Sequence, residues 1–262
     1  MKIRLNNVSF RYGGFFNTRL VLNGISSEIT PGITGILGPN GSGKSTLLNL
    51  ITGKLRKGAG TLQFIDGRRA YSFGEYQKIG SIGYLPQRFK FVGGMSIRQT
   101  VEYVGWVNGS SGKDLVDKVD EALNLVRLRE HASLKTGQLS GGQRQRLGLA
   151  CVLVQEPQVM ILDEPTNGLD PESRILMRKC IADSASEGRT IIISTHHMED
   201  LRYLAENVWV IAEGSLVFSG KIEDLGSGDV SDDSLKFGTA FEAGYSGLIQ
   251  GLKKDSSGDH EI

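Results

Sequence analysis

The octapeptide Gly38-Pro39-Asn40-Gly41-Ser42-Gly43-Lys44-Ser45 constrains this chain more than any other segment. An apolar run, Ile33 to Leu37, precedes it, and apolar residues at helical spacing follow from Ser45 through Ile51. The segment therefore reads as strand, glycine loop and helix in immediate succession. A loop of this kind points consecutive backbone N–H groups at one place, and the helix N-terminus adds a potential that favours an anion there. The group it suits is phosphate. Lys44 has the reach and charge for the β- and γ-phosphates of a nucleoside triphosphate, Ser45 offers a hydroxyl to Mg²⁺, and Thr46 extends the set into the first helical turn. The chain holds 35 glycines in 262 residues, close to twice the ordinary share of about 7%. Sharp turns and close backbone approach to a ligand are the expected use of so much glycine.

Two strongly apolar runs, Val159 to Leu162 and Thr190 to Ser194, show no alternation. Strands of that kind are buried on both faces, which implies a largely parallel sheet covered by helices. Ile82 to Leu85, Leu62 to Phe64 and Val208 to Ile211 fit further strands, and the alternation around Ile3, Leu5, Val8 and Phe10 fits an opening strand pair or one bulged strand. Helical spacing recurs from Ser96 to Trp106 and from Lys113 to Leu128; a third helix opens at Ser140 and ends near Glu156, because Pro157 follows. The class is α/β, with a helical lobe inserted between about Arg88 and Glu156. Past Lys221 the composition shifts: Gly226 to Ser234 reads as a linker, and Phe237, Phe241, Tyr245, Leu248, Ile249 and Leu252 share one face of a short helix that needs a docking surface. The last ten residues read as disordered.

Composition narrows the function classes. Thirty Lys and Arg balance 29 Asp and Glu, for a net charge of +1, whereas a general nucleic-acid binder needs a cationic surface. The longest unbroken apolar stretch, around Ala150 to Val154, is far short of a membrane span. No secretion signal is visible in the opening residues. Cys151 and Cys180, both in apolar helical surroundings, read as buried thiols of a reduced cytoplasmic protein.

Asp163 and Glu164 follow the run Val159-Met160-Ile161-Leu162, at the end of a buried strand where open α/β sheets bind ligands. Adjacent residues there point to opposite faces. One carboxylate can hold Mg²⁺ through its water shell while the other orients and polarises an attacking water. Leu139-Ser140-Gly141-Gly142-Gln143 begins with a capping box, Ser140 with Gln143 three residues on. Two glycines bare the first turn, and Arg144 and Arg146 add cations where the helix dipole disfavours them. Such a helix start suits a second anion, a phosphate supplied from elsewhere.

Taken together, the phosphate loop, the Leu-Ser-Gly-Gly-Gln stretch and the Asp-Glu pair followed by Pro165-Thr166 resemble the ATP-binding cassette (ABC) family in order and spacing, over roughly Lys2 to Gly220. The resemblance implies a P-loop ATPase core of mixed, largely parallel sheet with an antiparallel portion and a helical subdomain. The ATP-binding domain would span residues 1–225, with residues 226–262 as linker, helix and tail. Tyr12 matches the aromatic that stacks on adenine, Gln87 the glutamine that touches Mg²⁺ and senses a membrane partner, and His196 the histidine at the γ-phosphate; His197 reads as incidental. Asp170, in Asn167-Gly168-Leu169-Asp170, matches the aspartate of the loop across the dimer interface, although a small pair usually precedes Leu-Asp. In such proteins ATP lies between Lys44 of one chain and Ser140 of another, in a homodimer or with a related subunit. The dimer drives a separate membrane permease from the cytoplasmic face, with membrane contact through that permease alone; Phe89, Phe91 and Val92 fall in the loop that faces it. The family also holds soluble ATPases of translation, repair and iron–sulfur assembly. A single cassette, with only about fifty residues between Gln87 and Ser140, points to a transport subunit instead. The short aromatic tail around Phe241 and Tyr245 is similar to that of bacterial exporters.

Overall fold

The computed structural model describes residues 1–14, 17–56, 58–185, 188–226 and 244–249. The chain begins with β1 (Lys2–Gly14), β2 (Asn17–Ile29), β3 (Gly32–Leu37) and α1 (Lys44–Ile51). It continues through β4 (Ala59–Asp66), β5 (Arg69–Tyr71), α2 (Phe73–Tyr76) and β6 (Ile82–Leu85). Three helices follow, α3 (Ile97–Val107), α4 (Gly112–Leu125) and α5 (Gly141–Leu153). The last third alternates β7 (Val159–Asp163), α6 (Pro171–Asp183), β8 (Thr190–Ser194), α7 (Met198–Leu204), β9 (Asn207–Ala212) and β10 (Ser215–Lys221).

These strands form an antiparallel sheet of order β2-β1-β4-β5 and a six-stranded sheet of order β10-β9-β3-β8-β7-β6. In the second sheet β9, β3, β8, β7 and β6 run parallel, and only β10 is antiparallel to its neighbour. The unalternating runs are explained by their two faces. Met160 and Leu162 of β7, with Ile191 and Ile193 of β8, face the core shared with α3 to α7. Val159 and Ile161, with Ile192, face the core shared with α1 and the antiparallel sheet. An apolar residue at every position is what a strand covered on both sides requires. The opening strand is bulged, with register shifts against β2 after Leu5, Val8 and Phe10. That irregularity accounts for the broken alternation in the sequence.

Several elements lie beyond what periodicity showed. The spacing finds β1 but not its partner β2, and it leaves α6, α7, β5 and β10 unassigned. On α6 the buried set is Met177, Arg178, Cys180 and Ile181, a charged residue among apolar ones, and that breaks the hydrophobic stripe. Helix α5 ends at Leu153, and Glu156 takes φ 46 before Pro157. Residues 244–249 are helical, with Tyr245, Leu248 and Ile249 packed on the larger core. Phe237, Phe241, Leu252, the linker beyond Gly226 and the final ten residues lie outside the described residues.

Candidate nucleotide-binding and hydrolysis site

The loop between β3 and α1 owes its course to Gly43. Its φ is 108, and a Cβ there would stand 2.7 Å from Leu22 Cδ2 and 3.0 Å from the Val21 carbonyl. Only glycine combines that backbone with that closeness to β2. No side chain caps α1, so the amides at its N-terminus are left to an anion. Lys44 is 7% exposed, and its Nζ donates to the carbonyls of Gly38 at 2.7 Å and Pro39 at 3.1 Å. Burial pushes the Lys44 pKa below the usual lysine value, and the nearby Glu164 and Asp163 carboxylates partly oppose that shift. A buried cation held between its own loop carbonyls and two carboxylates is poised for phosphate oxygens.

Over the loop lies a cleft of about 480 Å³, lined by Tyr12, Arg19, Val21, Asn40, Gly41, Gly43, Lys44, Ser45, Thr46, Gln87 and Glu164. Segments distant in sequence thus meet on one cavity: β1, β2, the phosphate loop, Gln87 two residues after β6, and Glu164 directly after β7. Tyr12 is 43% exposed; its edge packs on Phe10 at 4.8 Å and its hydroxyl lies 3.4 Å from Thr46 Oγ1. A supported ring with an accessible surface can stack on a planar base. Arg19 and Val21 escaped the sequence reading. Arg19 is the strand partner of Tyr12, a pairing that only the β1–β2 register reveals.

Asp163 ends β7, and Glu164 leaves the strand with φ 52. Both are buried. The Ser194 hydroxyl donates to Asp163 Oδ1 at 2.5 Å and accepts from the Glu164 N–H at 3.1 Å, so one side chain at the end of β8 fixes both acids. Sequence reading assigned Ser194 no role beyond ending an apolar run. The Tyr84 hydroxyl lies 3.5 Å from Asp163 Oδ2, and burial together with that carboxylate pushes the phenol up to about 12. His196 Nδ1 lies 2.8 Å from Glu164 Oε2. The acid at the cleft wall is therefore joined to His196, the imidazole that the family resemblance puts at the γ-phosphate.

Helix α5, whose start carries the Leu-Ser-Gly-Gly-Gln signature stretch, stands apart. Among the described residues, those lining the cleft include none of Ser140, Gly141, Gly142, Gln143 and Asp170. Ser140 caps α5 as expected: Gln143 N–H donates to its Oγ at 3.2 Å, and Ser140 N–H donates to Gln143 Oε1 at 3.0 Å. The reading of the first turn needs two corrections. Gly141 faces open space, but a Cβ on Gly142 would meet Ser173 Oγ at 2.4 Å, so this second glycine serves the contact with α6. Arg146 is no anion ligand either; its Nη1 donates to the Val126 and Arg127 carbonyls at 2.9 and 3.0 Å, tying α5 to the end of α4. The bare, open surface is Gly141. Asp170 caps α6 by accepting from Ser173 N–H at 2.9 Å.

The loop after Gln87 also departs from expectation. Phe89 and Phe91 pack edge to face at 5.3 Å and belong to the core margin, with Phe89 against Gly148 of α5. Val92 alone of the three is exposed, at 68%.

The family model described as ABC transporter matches residues 22–167. The Nod factor export ATP-binding protein I of Burkholderia lata is 34% identical over 235 residues, covering 89% of this chain and 75% of that protein. A bacterial ATP-binding cassette solved as a dimer, in a post-hydrolysis state bound to ADP and Pi, is similar at 26% identity with a TM-score of 0.72 over 84% of this chain and 98% of that one. The cbiO1 protein of Clostridium perfringens, part of the ABC transporter complex cbiONQ, is similar at 31% identity with a TM-score of 0.73 over 89% of this chain and 93% of that one. With a phosphate loop, an acid–histidine pair and a separate signature helix arranged on this fold, the chain belongs to the ABC transporter family, as an ATP-binding and ATP-hydrolysing cassette.

Proposed function

We propose that this chain is the ATPase subunit of an exporter, closing as a dimer on two ATP molecules and driving a separate membrane permease. The observation that carries the reading is the split site. Tyr12, the phosphate loop, Gln87 and Glu164 share one cleft, while Ser140 to Gln143 lie off it. A second chain related by a two-fold axis supplies the missing half. Lys44, Ser45, Thr46 and the backbone N–H groups of the Gly38 to Gly43 loop, in which Pro39 has none, hold the triphosphate, Tyr12 receives the adenine, and Ser140, Gly141, Gly142, Gln143 and Asp170 approach from the partner. Glu164 orients water, with His196 fixing its carboxylate and reaching the γ-phosphate.

Mg²⁺ fits the donor set by its chemistry: the Ser45 hydroxyl, the Gln87 amide and the Asp163 carboxylate are hard oxygen ligands. Among the described residues no cluster of three or more His, Cys, Asp and Glu side chains forms a metal cage. Bound at the donor set, Mg²⁺ would neutralise charge on the phosphate oxygens.

Export is supported by the relatives named as export ATP-binding proteins, which align over most of the chain. Among the described residues no helix is long and apolar enough to cross a membrane; the proposed permease would supply the span. The helical lobe carries its surface: Tyr103, Trp106 and Val107 of α3 are each more than half exposed. The test is purification from membranes of a tagged Glu164→Gln chain held with ATP. An integral membrane protein should be retained; a preparation competent in ATP binding that retains none removes the permease from the reading.

A further inference from the structure

One carboxylate lies outside the cleft and is not part of the reading above. Asp200, in the first turn of α7, is 1% exposed. Arg178 of α6, itself 8% exposed, donates from Nε to Asp200 Oδ1 at 2.5 Å, and its Nη2 pairs with the same oxygen. The Thr166 hydroxyl donates to Asp200 Oδ2 at 2.5 Å, and Thr166 is 1% exposed. Each carboxylate oxygen therefore has its own donor. A buried charge must be compensated in this way, since an unpaired one is very costly. Charge balance alone would be met by Arg178. The Thr166 bond is additional, and its placement gives it a use.

Two of the three residues come from the segments that carry the proposed hydrolytic groups Glu164 and His196, and the third comes from the helix that follows Asp170. Thr166 is two residues after Glu164, in the turn where the Asn167 N–H donates to the Glu164 carbonyl at 3.1 Å and the Leu169 N–H to the Thr166 carbonyl at 3.3 Å. Asp200 is four residues after His196, and its N–H donates to the His197 carbonyl at 3.1 Å. Arg178 stands on the helix that Asp170 caps. Glu164 needs such support. Its φ of 52 is a backbone conformation that a non-glycine residue holds only when its surroundings impose it, and its 2.8 Å approach to His196 depends on two loops keeping register.

We propose that Asp200 is a positioning residue for hydrolysis, holding Glu164 through Thr166 and keeping the start of α7 and the middle of α6 in register with it. This rests on the reading of Glu164 as the water-orienting acid. Misplacement of a reacting group by about 1 Å costs on the order of a hundredfold in rate, so the tie should act on turnover and leave binding alone.

The experiment uses the full chain and compares Thr166→Val, which keeps shape and removes the hydroxyl, with Thr166→Ser, which keeps the hydroxyl. Thr166→Val should lower kcat by roughly ten- to a hundredfold, with the Kd for ATP within about twofold of the parent. Thr166→Ser should recover most of the rate. In a Glu164→Gln background, Thr166→Val should cause no further loss, because its effect passes through Glu164. Parent-like turnover by Thr166→Val, or equal losses in both backgrounds, overturns the proposal. If Thr166→Val does not fold, Thr166→Ala is measured in its place; if neither folds, the contact is structural only and the assignment fails. The two readings separate cleanly. Parent-like turnover by Glu164→Gln sinks the catalytic assignment, whereas a slow Glu164→Gln beside a fast Thr166→Val sinks only the role of Asp200.

Discussion

Lys44 and Glu164 face each other across the cleft with different burdens. Lys44 is charged, buried and bonded to two carbonyls of its own loop, so removing it takes a cation from the place meant for phosphate oxygens. Charge-assisted hydrogen bonds contribute about 1.5 to 3 kcal/mol each. Lys44→Ala should therefore weaken ATP binding by roughly tenfold to more than a hundredfold, read from a fluorescent nucleotide titration. Glu164→Gln should keep affinity and lose turnover, because an amide accepts no proton and orients water poorly. A pre-steady-state assay showing the reverse pattern would exchange the two roles. His197 offers a pH handle at this scale. Its ring centroid lies 4.0 Å from that of His196, and burial first, then electrostatic repulsion from the His196 and Arg174 side chains, hold its pKa below the ordinary histidine value. The folded chain thus binds this proton less readily than the unfolded chain. The cost of folding is absent above the unfolded histidine pKa of about 6.5 and grows as pH falls below it. The Tm of the parent should fall more steeply between about pH 7 and 5 than that of His197→Gln. Parallel Tm curves would remove His197 as the source.

Among the elements, α5 and α3 carry the tests. Arg146 closes the end of α4 by bonding the Val126 and Arg127 carbonyls, so Arg146→Met should destabilise the lobe. The loss expected is about 1 to 3 kcal/mol, measured by denaturant unfolding, with little change in ATP affinity. An anion-binding Arg146 would give the opposite split. On α3 the exposed Tyr103 and Trp106 rings lie 6.3 Å apart, and aromatic anchors often dominate an interface. Tyr103→Ser with Trp106→Ser should leave basal ATPase intact and abolish retention of the membrane partner in the purification described above. Undiminished retention would move docking elsewhere. The sequence showed these elements unevenly, for physical reasons. Strands β7 and β8, buried on both faces, and α1 behind its glycine loop declare themselves by composition. Strand β2 and helix α6 do not, because bulges shift one and the buried Arg178 interrupts the other. The same holds for the site. Lys44, Glu164, Ser140 and His196 sit in contiguous motifs, whereas Arg19, Ser194 and Asp200 acquire their neighbours only through strand register and helix packing. Phe89 and Phe91 look like anchors in sequence, yet Gly148 makes room for one of them inside.

For the whole molecule the decisive geometry is the separation of Lys44 from Ser140. Gly141 opens to free space at the start of α5, and the described residues lining the cleft include Lys44 and Glu164 but not Ser140 or Gly141, so on the proposed reading each half of the site is completed by a second chain. In the proposed dimer, two copies in head-to-tail register would each present a phosphate cleft to the other's capped helix start. The γ-phosphate would then meet the Gly141 amide from one side and Lys44 from the other. Hydrolysis would remove that bridge, and the dimer would lose the contact that distinguishes its closed state, which is how a ligand shifts a conformational equilibrium. A chain that binds but does not turn over should therefore accumulate closed. Sedimentation of Glu164→Gln should show a dimer with ATP and a monomer without it. Adding Ser140→Arg places a long cation at the cap and crowds the approach of the partner's triphosphate. That double variant should stay monomeric in ATP while binding the nucleotide with near-parent affinity, because Ser140 lies off its own cleft. A double variant that still dimerises with ATP would mean that the two chains do not share the nucleotide through α5.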